Sequence, residues 1–224
     1  MARFRRLEVL NATTKIGLVP IFYQGNLEVA KNIVTACADG GARVLEFTNR
    51  GDGAHHIFAE LASFVASERP DVILGVGSVF DAPTAALFIN HGANFVVGPI
   101  FNPEVAQLCN RRKVAYMPGC ATASEISEAE AFGVEICKVF PGAEVGGPAF
   151  VKNVLGPSPW SSIMLTGGVD TTKESIESWF RAGVVCLGIG SKIITKDRLV
   201  AGDFDAIRDD IARVLGLIKE ARGA

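Results

Sequence analysis

The sequence has no long apolar run, no block of like charges and no Cys-x-x-Cys pair, and each absence removes a class of function. A membrane-spanning helix needs about 20 consecutive apolar residues, and no stretch approaches that. The start is basic at Arg3, Arg5 and Arg6, but the Leu7-Glu8-Val9-Leu10 run behind it is too short for a signal-peptide core. It reads as a short amphipathic helix packed on the domain. The 22 basic and 24 acidic residues are mixed along the chain and leave a formal net charge of −2. That balance argues against a nucleic-acid surface and a polybasic membrane patch, so neither partner is expected and a cytoplasmic protein is the default. The five cysteines (Cys37, Cys109, Cys120, Cys137 and Cys186) lie far apart, which indicates neither a disulfide framework nor a zinc site. They read as small buried residues. His55 and His56 are adjacent, a spacing that does not put both rings on one helical face, so no metal is expected.

What is present is a rhythm. Apolar, strand-like runs occupy 16–22, 43–47, 72–76, 94–97, 114–117, 163–165 and 184–187, with one more around Lys138. Helical patterns fill the intervals. Asn26 caps one that runs to residue 38, and others span 54–68, 83–90, 103–112, 148–155 and 173–181. Ser124 is expected to cap a helix to residue 132, and Asp203 a last one with Phe204, Ile207, Ile211, Val214, Leu215 and Ile218 on one face. Asp39-Gly40, His91-Gly92, Phe132-Gly133 and Ala182-Gly183 end helices, so each glycine reads as a C-cap. Strands buried on both faces read as apolar runs, as these do. Eight βα units without a linker point to one domain over 1–224, an α/β fold of the (β/α)8 TIM-barrel type with an N-terminal helix. An open doubly wound sheet is the alternative.

One residue disturbs the pattern. Val134, Ile136, Val139 and Phe140 form a buried run ended by Phe-Pro-Gly, yet Lys138 sits inside it. A buried ammonium is costly unless paired or deprotonated, and desolvation lowers a lysine pKa. A neutral, fixed amine can attack a carbonyl and form a Schiff base. The ordinary alternative is a buried stem whose head snorkels out at the strand end.

In a barrel, chemistry gathers at the C-terminal ends of the strands. Those ends carry Glu46 with Thr48 and Arg50, then Gly77-Ser78, Lys138, Thr166-Gly167-Gly168 and Gly188-Ile189-Gly190-Ser191-Lys192. The last two glycine turns can aim backbone N–H groups at an anion. A helix starting after Ser191 is expected to add its positive end, and Lys192 its charge. Glu46 beside Lys138 can move protons as an imine and enamine interconvert, or can be a structural ion pair. Arg50 offers a planar fork for a carboxylate, or is a surface arginine.

These residues stand in two long patterns: Gly41, four residues, then Glu46-Phe47-Thr48-Asn49-Arg50; and Gly133, four residues, then Lys138-Val139-Phe140-Pro141-Gly142, with Gly146-Gly147 beyond. Gly75-Val76-Gly77-Ser78, Gly98-Pro99, Asn102-Pro103, Met117-Pro118-Gly119 and Thr166-Gly167-Gly168-Val169 lie in register with them. Over nearly its whole length the chain thereby resembles the 2-keto-3-deoxy-6-phosphogluconate / 4-hydroxy-2-oxoglutarate aldolase family. The resemblance implies a metal-free and cofactor-free class I barrel enzyme, a homotrimer, acting on a small keto acid. It implies that Lys138 forms the imine and Glu46 transfers protons. Arg50 and Ser78 would hold the pyruvyl unit, and Phe140 would pack on the substrate. Thr166, Gly167, Gly168, Gly190 and Ser191 would surround its distal end. Ser78 keeps the hydroxyl of the threonine usual there. The implied reaction cleaves a 2-keto-3-deoxy acid, the 6-phosphogluconate derivative first, to pyruvate and an aldehyde. Alternatives are 4-hydroxy-2-oxoglutarate, an epimeric or unphosphorylated acid, or a phosphosugar-binding barrel without aldol chemistry.

Overall fold

The structure is a computed structural model and describes residues 2–223. Helix α1 (Arg6–Ile16) ends at Gly17, whose φ of 75° makes a left-handed cap, so the first strand starts two residues later than the apolar run suggests. The strands are β1 (Leu18–Phe22), β2 (Val44–Thr48), β3 (Ile73–Gly77), β4 (Phe95–Val97), β5 (Ala115–Met117), β6 (Gly119–Cys120), β7 (Cys137–Val139), β8 (Ile163–Thr166) and β9 (Cys186–Ile189). They run parallel in the order β5-β4-β3-β2-β1-β9-β8-β7-β6. Only Pro118 separates β5 from β6, so the two ends of that order are joined by the chain itself. The expected fifth strand, 114–117, is followed by a short unexpected segment, β6, and the nine segments form a nearly closed barrel. Proline has no N–H to give a ladder. Its carbonyl still accepts Lys138 N at 2.8 Å and ties the break to β7.

The helices around the barrel are α2 (Leu27–Asp39), α3 (Ala54–Glu68), α4 (Ala82–Asn90), α5 (Pro103–Arg112), α6 (Ala123–Ala131), α7 (Gly147–Leu155), α8 (Lys173–Ala182), α9 (Lys196–Ala201) and α10 (Phe204–Ala221). Three expectations change. Thr122, not Ser124, caps α6, because Glu125 stands three residues beyond Thr122 and closes a capping box with it. No helix starts after Ser191: the N–H groups of Ile193 and Ile194 both return to the Gly190 carbonyl, which makes a single turn. The short helix α9 follows it, capped by Thr195 and without a buried residue, so no apolar stripe announced it. Gly92, Gly133 and Gly183 take the left-handed conformation after their helices. After α2 it is Gly41 (φ 101°) that does so, whereas Gly40 stays right-handed. Gly40 serves packing instead, since a Cβ there would stand 2.5 Å from the Arg208 carbonyl on α10.

Period two assigns every strand residue to a face. Val19, Val44, Ile73, Phe95, Ala115, Met117, Ile136, Met164 and Cys186 share one buried cluster, the barrel interior. Val9 and Leu10 of α1 complete it, so α1 closes the barrel where the strands begin. The alternate residues, among them Leu45, Phe47, Leu74, Val76, Val139, Leu165 and Leu187, pack outward against the helices. Counting in twos from the interior residues therefore directs Glu46 and Thr48, Gly75 and Gly77, Lys138 and Phe140, Thr166, and Gly188 and Gly190 into the barrel. Of these, Glu46, Thr48, Lys138 and Thr166 are buried polar groups. Among the described residues, no helix is long and apolar enough to cross a membrane.

Candidate active site

The polar residues at the strand exits converge on one end of the barrel. Glu46 is 1% exposed and Lys138 7%, so both charges would have to be carried almost without water. No ion pair joins them, and Glu46 Oε2 receives no hydrogen bond among the described residues. They feel one another all the same. Burial pushes the Lys138 ammonium down from its ordinary pKa, the Glu46 charge opposes this, and the Arg50 guanidinium adds to it. Burial pushes the Glu46 carboxyl up, against the opposing pull of Lys138 and Arg50. Both shifts favour neutral groups. That is the state in which an amine can attack a carbonyl and a carboxyl can donate a proton. Lys138 Nζ stands 4.8 Å from the centre of the Phe140 ring. A ring face attracts a cation, so this contact works against desolvation while it fixes the head group in place.

Arg50 is exposed just beyond β2 and forms no ion pair among the described residues, so its fork is open to a carboxylate while its field reaches both buried groups. Ser78, directly after β3, holds a left-handed φ of 59°. A non-glycine residue there is strained, and such strain gathers at functional sites. Phe140 is 37% exposed, an unusual degree for a large apolar side chain beside a buried lysine. The turn after β7 binds the end of β8: Gly142 N donates to the Thr166 carbonyl at 2.9 Å and Ala143 N to the Gly167 carbonyl at 3.2 Å. Residue 142 has to be small, because a Cβ there would stand 2.5 Å from Leu165 Cδ1. Thr166 Oγ1 is buried and receives no hydrogen bond from the protein.

Next to this cluster, the turns after β8 and β9 enclose a concavity of about 260 Å³ lined by Gly167, Gly168, Asp170, Gly190, Ser191 and Lys192. The glycine turns are thus together, as their spacing suggests. Two details differ. The turn after Ser191 is not a helix start, so it does not add the helix end expected there. Lys192 Nζ is bound to Asp170 Oδ2 at 2.9 Å, so its charge is shared across the rim, and that contact holds the Asp170 carboxyl below its ordinary range. The sequence reading missed Asp170, although an acid two residues beyond Gly167-Gly168 and a lysine beyond Gly190-Ser191 were there to be matched. Away from this end, the rings of His55 and His56 lie 4.0 Å apart because neighbouring side chains on α3 lean together, closer than adjacency alone suggests. Among the described residues, no three His, Cys, Asp or Glu groups gather around a common point suited to a metal.

Known proteins resemble this chain in sequence and in fold. The family model described as Aldolase: KDPG and KHG aldolase matches residues 9–209. The chain is 30% identical to a 2-dehydro-3-deoxy-phosphogluconate aldolase of Treponema pallidum, over 90% of this chain and 93% of that one. It is 35% identical to one of Pseudomonas aeruginosa, over 75% and 74%. Among solved structures, it superposes with a TM-score of 0.84 on a KDPG aldolase from Legionella pneumophila with pyruvate captured as a covalent carbinolamine intermediate. That protein is 26% identical, and the match covers 95% of this chain and 98% of the other. With an interior lysine and glutamate at the strand exits and a family match over most of its length, the chain belongs to the KDPG and KHG aldolase family and is an aldehyde-lyase of that type.

Proposed function

We propose that the chain acts as a single aldolase domain that cleaves 2-keto-3-deoxy-6-phosphogluconate to pyruvate and glyceraldehyde 3-phosphate through an imine on Lys138. The observation that carries this reading is the pair of buried, unbridged groups at one barrel end, Lys138 with its pKa lowered and Glu46 with its pKa raised. Capture of pyruvate as a carbinolamine in the Legionella relative supports it. The neutral Lys138 amine attacks C2 of the substrate. The neutral Glu46 carboxyl gives its proton to the carbinolamine hydroxyl, which leaves as water, so that an iminium ion and an ionised Glu46 remain. Glu46, ionised at this step, takes the C4 hydroxyl proton. The C3–C4 electron pair flows into the iminium, which releases the aldehyde and leaves an enamine. Glu46 returns its proton to C3, and water hydrolyses the imine to free pyruvate and Lys138.

The remaining residues position the substrate. Arg50 and the Ser78 hydroxyl hold the pyruvyl carboxylate, and Phe140 covers one side of the chain of carbons. Thr166 Oγ1 meets a substrate hydroxyl. The backbone N–H groups of Gly167, Gly168 and Gly190 and the Ser191 hydroxyl surround the phosphate in the 260 Å³ concavity. The protein works in the cytoplasm as a homotrimer. Phe80, Leu87 and Ile100, which are 56%, 39% and 51% exposed, are the apolar surface that the copies cover. Asn102 Nδ2 donates to the Phe80 carbonyl and the Tyr116 hydroxyl to the Ile100 carbonyl, so this surface is held rigid from beneath.

The test is incubation with pyruvate and borohydride, followed by intact-mass measurement and peptide mapping. One reduced pyruvyl group on Lys138 is expected. An adduct on Lys152 or Lys192 instead would end the mechanism. A panel of phosphorylated, unphosphorylated and epimeric keto-deoxy acids assigns the substrate. Light scattering of Phe80→Asp against the unaltered chain tests the trimer, which the substitution should dissociate.

A further inference from the structure

The strand-entry end of the barrel, opposite Lys138, carries a second concavity. The segment leading into α1, the end of α5 before β5, and the residues before β7 surround a groove of about 720 Å³. Its lining includes five cations, Arg3, Arg5, Arg6, Arg112 and Lys113, but one carboxylate, Glu135. Glu135 is already taken by Arg6, at 2.6 Å. Arg3 reaches the neutral Pro70 carbonyl and lies over the Phe4 ring, and Arg112 reaches the side-chain carbonyl of Asn90 at 3.0 Å. Arg5 and Lys113 form no ion pair among the described residues. Four basic residues therefore line one groove without an ion pair among the described residues, in a chain whose net charge is −2.

Helix chemistry explains only part of this. Basic residues at the end of α5 complement the negative end of its dipole, which accounts for Arg112 and Lys113. It does not account for Arg3 and Arg5, which come from the other wall, ahead of α1. Phe4, Leu7, Ile89 and Val114 supply apolar surface beside the charges, and Leu7 is 69% exposed. The volume falls within the range of small-molecule sites, about 300–1,000 Å³.

We propose that this groove is a second binding site, distinct from the catalytic end, and that it takes an organic polyphosphate such as a nucleoside diphosphate. Arg5, Arg112 and Lys113 hold the phosphates, and the apolar wall holds the ring system. Arg forks suit phosphate oxygens, and paired cations from two walls suit a chain of phosphates better than a single carboxylate. A ligand there bridges the N-terminal segment to α5 and so stabilises the closure that α1 makes. The inference does not depend on the proposed aldol chemistry.

The probe is ADP, with pyrophosphate and adenosine as the two halves of the ligand, read by thermal unfolding of the full chain at low salt. At about 100 times its Kd, a ligand of the folded state should raise Tm by about 5–10 °C in a chain of this size. ADP should give that shift, pyrophosphate a smaller one and adenosine none. The ADP shift should survive Ser191→Asp, which blocks the other anion concavity. It should vanish in Arg112→Glu/Lys113→Glu and, independently, in Arg5→Glu, with aldol turnover unchanged in both of these basic-groove variants. Absence of any ADP shift, equal shifts with ADP and pyrophosphate, or a shift lost in Ser191→Asp and kept in the basic variants would overturn the proposal.

Discussion

The Glu46 carboxylate lies in the space where a side chain on Gly77 would stand: a Cβ on residue 77 would be 1.7 Å from Glu46 Oε1. Thr48 pairs with Gly77 in the ladder between β2 and β3, and both Glu46 and Gly77 point into the barrel. Gly77 has no left-handed backbone to explain it, so its bareness is what makes room for the Glu46 side chain. Gly77→Ala should fold, because the displaced atoms belong to one side chain. It should lower kcat about 100-fold, the scale expected for a 1 Å displacement of a reacting group. Circular dichroism and steady-state kinetics check this, and an unchanged kcat would sink it.

Lys138 is the residue whose replacement separates chemistry from stability. Lys138→Arg keeps a cation but offers no usable nucleophile, and turnover should fall by about 10⁴-fold or more. Lys138→Met removes a costly buried amine, and Glu46 can stay protonated because burial already raises its pKa. Both variants should therefore unfold cooperatively. Undiminished aldol cleavage by Lys138→Met would end the imine mechanism, and thermal melts report the fold.

The strand exits were legible in the sequence because a barrel buries its strands on both faces and leaves few places for a charge. Glu46 and Lys138 stand out for that reason, and period two sends both inward. The caps of α2 and α10 were readable too, since Asn26 and Asp203 directly precede those helices. What escaped were contacts between distant segments. Nothing local marks Asp170 as the partner of Lys192, and nothing local shows that residue 77 must be bare to seat residue 46. Pro118 carried a readable signal, a missing N–H inside an apolar run. The single turn after Ser191 was hidden because Gly-Ser-Lys is equally compatible with a helix start.

The pH dependence follows from the neighbours of Lys138. Its pKa is lowered, so imine formation with pyruvate should rise with pH and level off below the ordinary lysine value of about 10.4. Arg50 contributes to that lowering, so Arg50→Gln should move the inflection to higher pH at saturating pyruvate. Stability carries the same sign. Between the folded and unfolded pKa values the unfolded state binds more protons, so the lysine destabilises the fold below this window and the loss is relieved as pH rises towards about 10.4. Lys138→Met should abolish that rise in Tm. An inflection that stays put or falls in Arg50→Gln would contradict the assignment.

The last prediction concerns the rim of the 260 Å³ concavity, where the bond between Asp170 and Lys192 at 2.9 Å closes the two glycine turns over one another. A phosphate entering between them meets backbone N–H groups and the Ser191 hydroxyl, but also the Asp170 carboxylate. Both charged side chains are about half exposed, so the pair is screened by water and its rupture is cheap. Lys192 can then turn from Asp170 to the phosphate. Asp170→Asn removes the competitor and should lower KM for the phosphorylated substrate roughly threefold, leaving an unphosphorylated analogue unaffected. Ser191→Asp places a fixed negative charge against the phosphate and should lower kcat/KM on the phosphorylated substrate by about 100-fold, as like charges at contact cost several kcal/mol. The two variants thus move the preference for phosphate in opposite directions while Lys138 and Glu46 stay untouched. Equal effects on both substrates would assign the concavity to folding of the rim, and a rise in KM for Asp170→Asn would make Asp170 a ligand for the substrate.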